Sequence, residues 1–221
     1  MRKFSKVPFF LVLAVSLWCG SAMALSFTPI SNSGEPSLLG TDGILDTLYG
    51  LENLERVADD FDQTWIELDG GVSAQARYAA FNHDFGYIKD GDFKLIFQVT
   101  GGSGYLPPDS LGGTFLTGDG HDSFQFGLDP YGAPLWSSLE SSNSDGLDHM
   151  VTWLITGGEG NSAGNYVIAW EDLNGGGDRD YNDLVVEINM AAPIPEPTTL
   201  LLLGTGLVGL AGISRRKFFK Q

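Results

Sequence analysis

Short apolar and aromatic runs, separated by polar turns, dominate the chain between about residue 60 and residue 190. They are rich in Val, Ile, Phe, Tyr and Trp, and clusters of Gly, Asp, Asn and Ser stand between them, which is typical of strands joined by tight turns. The pattern predicts strands at 64–69, 93–99, 123–128, 149–156, 166–171 and 184–188, with one or two more within 77–88. Because no long amphipathic helix is predicted here, we expect an all-β fold, a single jelly-roll-like β-sandwich over residues 45–190.

The residues before these strands give a weaker pattern. Residues 25–44 are polar and rich in turn formers, and we interpret them as a leader, with one edge strand as the alternative. Leucines at 45, 48, 51 and 54 have nearly helical spacing, but Gly50 interrupts it. The sequence leaves residues 44–58 open between a helix and irregular structure.

The first 24 residues have the three parts of a secretory signal peptide. Arg2, Lys3 and Lys6 form a basic start, residues 7–18 are almost wholly apolar, and Ala22-Met23-Ala24 is a small-residue cleavage site. We predict cleavage after Ala24, and an uncleaved membrane anchor is the alternative. The chain's one cysteine, Cys19, lies inside this peptide, so the exported chain is predicted to have no disulfide bond.

The C-terminal segment, residues 193–221, predicts a membrane helix. Its apolar run, residues 198–213, would span about 24 Å as a helix, somewhat less than a hydrocarbon core of about 30 Å. The basic cluster that follows favours a cytoplasmic end, and a buried core helix is the alternative. The residues that flank the run are Pro195, Glu196 and Pro197 before it and Arg215, Arg216 and Lys217 after it.

This tail resembles the PEP-CTERM sorting signal of Gram-negative bacteria. The Pro-Glu-Pro triplet, the glycine-rich span "GTGLVGLAG" and the Arg-Arg-Lys cluster occur in the same order. The resemblance implies recognition and cleavage near Pro-Glu-Pro by an exosortase, a membrane transpeptidase. It further implies export to the cell surface or extracellular matrix after transient anchoring, and a link to exopolysaccharide and biofilm production.

The charge is concentrated between the two ends. Residues 25–192 hold 27 of the 28 acidic residues but only five of the 12 Lys and Arg residues. Such a surface repels nucleic acid, which we exclude as a partner, and it attracts cations. Acidity also keeps exported proteins soluble, so the average charge alone does not require a cation site.

The strongest candidate site is the connection 172–183 between the last two predicted strands, which is long for a hairpin. Three glycines precede an Asp-x-Asp-x-Asn-Asp string that begins at Asp178. Oxygens at alternate positions of a tight loop can converge on Ca²⁺, which takes six to eight oxygen ligands in flexible geometry. We therefore predict a structural calcium ion, and a solvated acidic turn is the alternative.

The loop departs from an EF-hand, because Asp183 stands at the sixth position and Asn189 at the twelfth. Further ligands must therefore come from outside the string. Glu171 and Asp172 lie next to the loop in sequence, and the segment 145–148 is expected to lie on a neighbouring loop. The predicted metal ligands are Asp145, Asp148, Asp172, Asp178, Asp180, Asn182 and Asp183.

The same stretch, "IAWEDLNGGGDRDYNDLVVEI", resembles the C-terminal signature of an uncharacterised domain of bacterial surface proteins. "DGLDHMVTW" and "FNHDFGYI" resemble upstream parts of that domain, so the resemblance spans roughly residues 45–190. It implies a β-rich extracellular module and no established activity. Metal binding is inferred from the residue types and not from the family.

Other candidate chemistry is weaker. Asp59, Asp60 and Asp62 could form a second cation site, as could residues 119–122, and solvated turns are the alternative. No nucleophile, zinc or nucleotide motif is present, and we interpret the three scattered histidines as structural or surface residues. Of the tryptophans, Trp153 and Trp170 are predicted in the core, whereas Trp136, with Tyr131, is the better candidate for a ligand surface.

The sequence therefore predicts a non-catalytic surface or matrix protein with a calcium-stabilised β-domain. Its expected role is structural or adhesive, with extracellular polysaccharide as a candidate partner. The alternative is a polysaccharide-binding module or a glycoside hydrolase that uses the acidic residues directly.

Overall fold

The computed structural model describes residues 25–32, 36–107, 110–114, 123–158 and 162–194. Within them lie one short α-helix, α1 (Ile44–Tyr49), and three single-turn 3₁₀ helices, Leu51–Asn53, Glu140–Ser142 and Asn174–Gly176. The strands are β1 (Leu54–Arg56), β2 (Trp65–Arg77), β3 (His83–Lys89), β4 (Asp92–Val99), β5 (Gly104–Tyr105), β6 (Gly112–Thr114), β7 (Ser123–Pro130), β8 (Trp136–Ser137), β9 (Met150–Ile155), β10 (Tyr166–Trp170) and β11 (Leu184–Pro193).

The strands form two antiparallel sheets that meet at one strand. The first sheet has the order β1-β9-β10-β11-β2, with β5 and β6 also paired to β2, and the second has the order β4-β3-β7-β8. Trp65 and Ile66, at the start of β2, pair with Phe124 and Ser123 of β7 and so join the sheets. The expectation of a nearly all-β fold is confirmed, and its jelly-roll-like form stays a prediction.

The main core contains side chains of both sheets. Phe85, Phe97 and Phe126 of the second sheet share one buried cluster with Ile168 and Val186 of the first. Phe126 lies 5.1 Å from Trp65, 5.7 Å from Phe85 and 5.1 Å from Phe124, measured between ring centroids. Aromatic pairs at these distances stabilise a core beyond the area that they bury.

The first sheet is also covered on its outer face. Val167 and Ala169 of β10 point away from the main core into a second buried cluster, which contains Leu38, Ile44 and Leu45 of the N-terminal segment. Burial on both faces explains why β10 reads as a continuous apolar run and not as an alternating one. The described part of the predicted leader therefore packs on the sheet without forming a strand, and α1 resolves the ambiguity that Gly50 left in the sequence.

We expect Phe126→Ala to lower the free energy of unfolding by about 3–5 kcal/mol, because it removes a ring that both sheets contact. The control is Leu95→Ala on β4, where the side chain is 56% exposed, and its effect should stay within about 0.5 kcal/mol. Urea denaturation of the full chain in detergent measures both values. Equal effects of the two substitutions would contradict a core shared by the sheets.

Candidate metal centre

The acidic loop begins where the β10–β11 ladder ends. Trp170 pairs with Leu184, and the Asp183 N–H donates to the Trp170 carbonyl at 3.2 Å, which closes the loop. The Glu171 N–H donates to the His149 carbonyl at 3.0 Å, so the start of the loop is attached to the segment before β9. The predicted hairpin is therefore present. Its connecting loop starts at the end of the β10–β11 ladder and is hydrogen-bonded there to the segment before β9.

Glycines allow the loop to fold back over Glu171. Gly175, Gly176 and Gly177 all have positive φ, and a Cβ atom at Gly177 would lie 2.1 Å from Glu171 Oε1. Arg179 (φ 61°) and Tyr181 (φ 54°) also adopt the left-handed conformation, which is uncommon for side chains of this size. All three glycines thus supply the positive φ of the turn, and Gly177 also allows the backbone to approach a buried carboxylate closely.

Five carboxylates converge in this loop as two groups of three that share Glu171. One group is Glu171, Asp178 and Asp180, and the other is Glu171, Asp172 and Asp183. Within each group, one oxygen per residue lies within 4.8 Å of the others. Glu171 is fully buried, and Asp172 and Asp180 are almost fully buried, whereas Asp178 is exposed.

Backbone and side-chain donors hold these carboxylates in place. Glu171 accepts from the N–H groups of Leu173 (3.2 Å) and Arg179 (2.9 Å). Asp183 Oδ2 accepts from the Asp172 N–H at 2.8 Å. Asp180 accepts from the N–H and the amide Nδ2 of Asn182, at 3.2 and 2.8 Å. The loop is therefore ordered around its acidic side chains.

The charge of the cluster is offset only in part by neighbouring bases. His83, which is fully buried on β3, has its Nε2 2.8 Å from Asp172 Oδ2. The buried Arg77 is close enough to attract Asp172 and Asp183, although its guanidinium also donates to the carbonyls of Phe81 and Gly101. Of these two side chains, only the Arg77 guanidinium carries a fixed positive charge, and the loop holds five carboxylates.

Burial and crowding raise the pKa of two acids in the cluster. Desolvation, followed by repulsion from Asp178 and Asp180, raises the pKa of Glu171 to about 8. Desolvation, followed by repulsion from Asp172 and Glu171, raises the pKa of Asp183 to about 9. Near pH 7 and without a cation, both groups therefore favour the protonated form.

The loop at 145–148 does meet the acidic loop, but Asp145 is bound differently from the prediction. Its Oδ2 accepts from the Gly175 N–H at 2.8 Å and lies 3.0 Å from His149 Nε2. Burial alone would raise the pKa of Asp145, but the bonds from His149, Gly175 and Leu147 lower it. Asp145 thus joins the two loops by hydrogen bonds and lies outside both carboxylate groups.

Asp148 faces a different set of acids. Desolvation, and repulsion from Asp59 and Glu140, raise its pKa to about 7, and burial with repulsion from Asp148 raises the pKa of Asp62 well above its usual value. Asp59 is paired with Arg56 at 3.0 Å. Asp148 contacts the acidic loop through its backbone carbonyl, which accepts from the Tyr181 hydroxyl at 2.8 Å.

The expectation that Trp136 belongs to a ligand surface is wrong. Trp136 lies on β8 and is fully buried; its indole N–H donates to the Asp172 carbonyl at 2.8 Å, and its ring stacks on His149 at 3.8 Å. Trp136 therefore contacts the acidic loop from the core and not from the surface. Trp153 and Trp170 are buried as predicted, and Tyr131 is 56% exposed with its hydroxyl donating to Asp84.

The sequence predicted most residues of the carboxylate cluster, but two residues received too little weight. Glu171, which both groups share, was only a secondary candidate, although it directly precedes Asp172. His83 had no local signal, because it reaches Asp172 from the other sheet. Residues 119–122 and the sorting residues, Pro195 to Pro197 and Arg215 to Lys217, lie outside the described residues.

Two segments match known families. Residues 106–191 match the family described as "Domain of unknown function (DUF4114)", and residues 193–217 match the PEP-CTERM protein-sorting motif. The second match confirms the predicted sorting signal. It implies an exported, surface-targeted protein with a membrane-anchored sorting region that an exosortase processes.

Comparison with individual proteins adds a structural likeness. No curated protein matches this chain. Among solved structures, a high-affinity mannose-binding lectin of Ralstonia solanacearum is similar over 57% of this chain and 94% of its own, with 14% identity and a TM-score of 0.31. Within the residues that the structure describes, no helix has the length and apolar character needed to cross a membrane.

We expect Gly177→Ala to destabilise the protein by at least about 2 kcal/mol more than Gly175→Ala. Both positions have positive φ, but a Cβ at Gly175 meets nothing within 4 Å, whereas one at Gly177 collides with Glu171. The comparison separates the effect of the collision with Glu171 from the effect of the positive φ, which both positions share. Urea denaturation of the two variants measures the difference in the free energy of unfolding. Equal losses would show that Glu171 does not lie against Gly177.

Without divalent cations, the protein should lose stability as pH rises from about 4 to about 9. Glu171 and Asp183 have folded-state pKa values of about 8 and 9, above the values of about 4 expected in the unfolded chain. The folded state therefore binds more protons over this range, and raising the pH favours unfolding. Urea denaturation in EDTA at stepped pH measures the slope.

The control for this pH series is Glu171→Gln, which removes one titrating carboxyl from the cluster and should flatten the slope. Stability that stays constant or rises between pH 5 and pH 9 in the parent protein would contradict the assignment of buried, crowded carboxyls.

Proposed function

We propose that this chain is a non-catalytic surface or matrix protein whose β-domain is stabilised by Ca²⁺ bound in the 171–183 loop. Its role would be structural or adhesive and linked to exopolysaccharide and biofilm. The single observation that supports the cation is the convergence of five carboxylates, in two groups around the fully buried Glu171.

The spacing of the oxygens suits calcium. Ca²⁺–oxygen distances of about 2.3–2.6 Å place ligands on opposite sides of one ion about 5 Å apart, and the oxygens of each group lie within 4.8 Å of one another. Two carboxylates at this distance repel by about 3–4 kcal/mol at an effective dielectric constant near 20. A divalent cation converts that repulsion into attraction and displaces the protons on Glu171 and Asp183.

Asn182 supplies a further oxygen. Its side chain is 1% exposed, its Nδ2 donates to Asp180 and to the Pro36 carbonyl, and its Oδ1 has no hydrogen-bond partner among the described residues. A buried amide oxygen without a donor is costly, and a hard cation is one partner that satisfies it. Asn182 belongs to the ligand set that the sequence predicts.

The same spacing favours a non-catalytic role for these acids. Glycosidases separate their two carboxylates by about 5–5.5 Å or about 6.5–9.5 Å to admit a sugar or a water molecule. The oxygens of each group here are closer than that, and backbone N–H groups, His83 and Asn182 already engage them. This arrangement supports ion binding in preference to a reactive carboxylate pair.

The test is thermal unfolding and calorimetric titration of the full chain in detergent, in EDTA and in millimolar CaCl₂. A ligand at 100 times its Kd adds about 2.7 kcal/mol to the native state, which raises the Tm by roughly 5–10 °C for a domain of this size. Asp178→Asn/Asp180→Asn should lose the shift. The titration also gives the number of ions, and two carboxylate groups that share Glu171 support an expectation of one or two.

The matched control is Asp90→Asn/Asp92→Asn, which removes two carboxylates with the same spacing from the exposed β3–β4 turn. It should keep the full calcium effect, since Asn tolerates the positive φ of Asp90. Identical melting curves of the parent protein in EDTA and in CaCl₂ would overturn the calcium proposal.

A further inference from the structure

Among the described residues, the N-terminal segment covers only part of the outer face of the first sheet, and the part that these residues leave open forms a polar groove. The groove has a volume of about 1080 Å³. Its floor is formed by outward positions of β2 and β11, Gly71, Ser73, Glu187 and Asn189, with the glycines of β6 beside them. The end of α1 and Asn53 line one side together with Gly157 and Gly158, which lie against Asn53, and Ser162 also lines the groove.

The lining side chains have the chemistry of a hydroxyl-binding surface. Amides, hydroxyls and one carboxylate line the groove, and none of the described lining residues is a Lys, Arg or His. Amides and carboxylates can pair with adjacent hydroxyls as acceptors and, for amides, also as donors. A groove without bases and with Glu187 in its floor disfavours polyanions, as does the acidity of the whole chain.

Hydrogen bonds fix these groups in place before any ligand arrives. The Tyr49 hydroxyl donates to Glu187 Oε2 at 3.1 Å, and Asn165 Nδ2 donates to Glu187 Oε1 at 2.6 Å. Asn53 Nδ2 donates to the Tyr49 carbonyl at 2.8 Å. Asn189 Oδ1 accepts from the Gly71 N–H at 2.7 Å, which leaves its Nδ2 group as a donor in a fixed plane.

Two glycines allow the side-chain amides of Asn53 and Asn189 to lie close to the backbone. A Cβ at Gly157 would lie 2.9 Å from Asn53 Oδ1, and one at Gly71 would lie 3.0 Å from Asn189 Oδ1. Ser73 Oγ, beneath the floor, has no hydrogen-bond partner among the described residues and is shielded from solvent, so the ligand contacts come from the exposed amides and hydroxyls of the groove.

We propose that this groove binds a segment of a neutral polysaccharide chain. The inference rests on the proposed function, because it gives the adhesive role a site and a class of ligand. The volume of about 1080 Å³ lies just above the roughly 300–1,000 Å³ typical of ligand pockets, which suits several sugar units. Tyr49 is the one aromatic side chain among the described lining residues, so each groove is expected to bind weakly, and many protein copies along one polymer supply avidity.

The test is calorimetric titration of the full chain, in calcium and in a detergent without a sugar headgroup, with cellohexaose, maltohexaose and mannohexaose. At least one of them should bind with a Kd at or below about 1 mM. Thr114→Trp, which places a large ring at the exposed edge of the groove, should weaken that binding at least about tenfold. Oligogalacturonate, an anionic probe, should not bind.

The matched control is Gln98→Trp, an exposed strand position whose hydrogen-bond partners, Asp84 and Tyr131, do not line the groove. It should leave sugar binding unchanged. Glu187→Gln is the second groove variant, and it should weaken binding without loss of the calcium-induced Tm shift. Both groove variants must first show a parent-like thermal transition.

The outcomes separate this proposal from the calcium proposal. If no neutral hexasaccharide binds, or if Thr114→Trp and Gln98→Trp bind alike, the groove proposal is wrong, whatever calcium does to the Tm. If groove-dependent binding occurs in a protein whose Tm calcium does not change, the groove proposal stands and the calcium proposal fails.

Discussion

The burial of Glu171 beside four other carboxylates is the constraint on which the end of the β10–β11 hairpin depends. Its oxygens accept from Leu173 and Arg179, the backbone crosses it at Gly177, and both carboxylate groups include it. An uncompensated charge of this kind is among the most costly features a fold can contain. Protonation compensates it locally, and a cation would compensate all five carboxylates together.

Side chains from several other parts of the fold contact that loop. Trp136 and His149 stack beneath it and donate to the carbonyls of Asp172 and Glu171, and Asp145 connects it to the loop before β9. His83 and Arg77 reach the same carboxylates from strands of the two sheets. Because these contacts come from distant parts of the chain, the acidic loop links the two sheets at one end of the fold.

The outer face of the first sheet has two parts with different roles. Where Ile44 and Leu45 share a buried cluster with Ala76 of β2 and Val185 of β11, the face is part of the core. Where Ser73, Glu187 and Asn189 point outward, the same strands change to polar residues and the face stays open. This change lies within β2 and β11 themselves, so a single sheet contributes both to stability and to the proposed polysaccharide site.

The sequence by itself determined the strand-rich fold, the sorting signal and the acidic string, because each depends on residue types that are close together in the chain. Periodicity could not show that β10 is buried on both faces, nor that Trp136 lies beneath the loop and not on a surface. Asp148 and Asp145 look equivalent in sequence, yet one faces Asp59 and Asp62 and the other binds Gly175. Only the tertiary structure decided these points, because the partner of a side chain is chosen by strand order and packing and not by its neighbours in the chain.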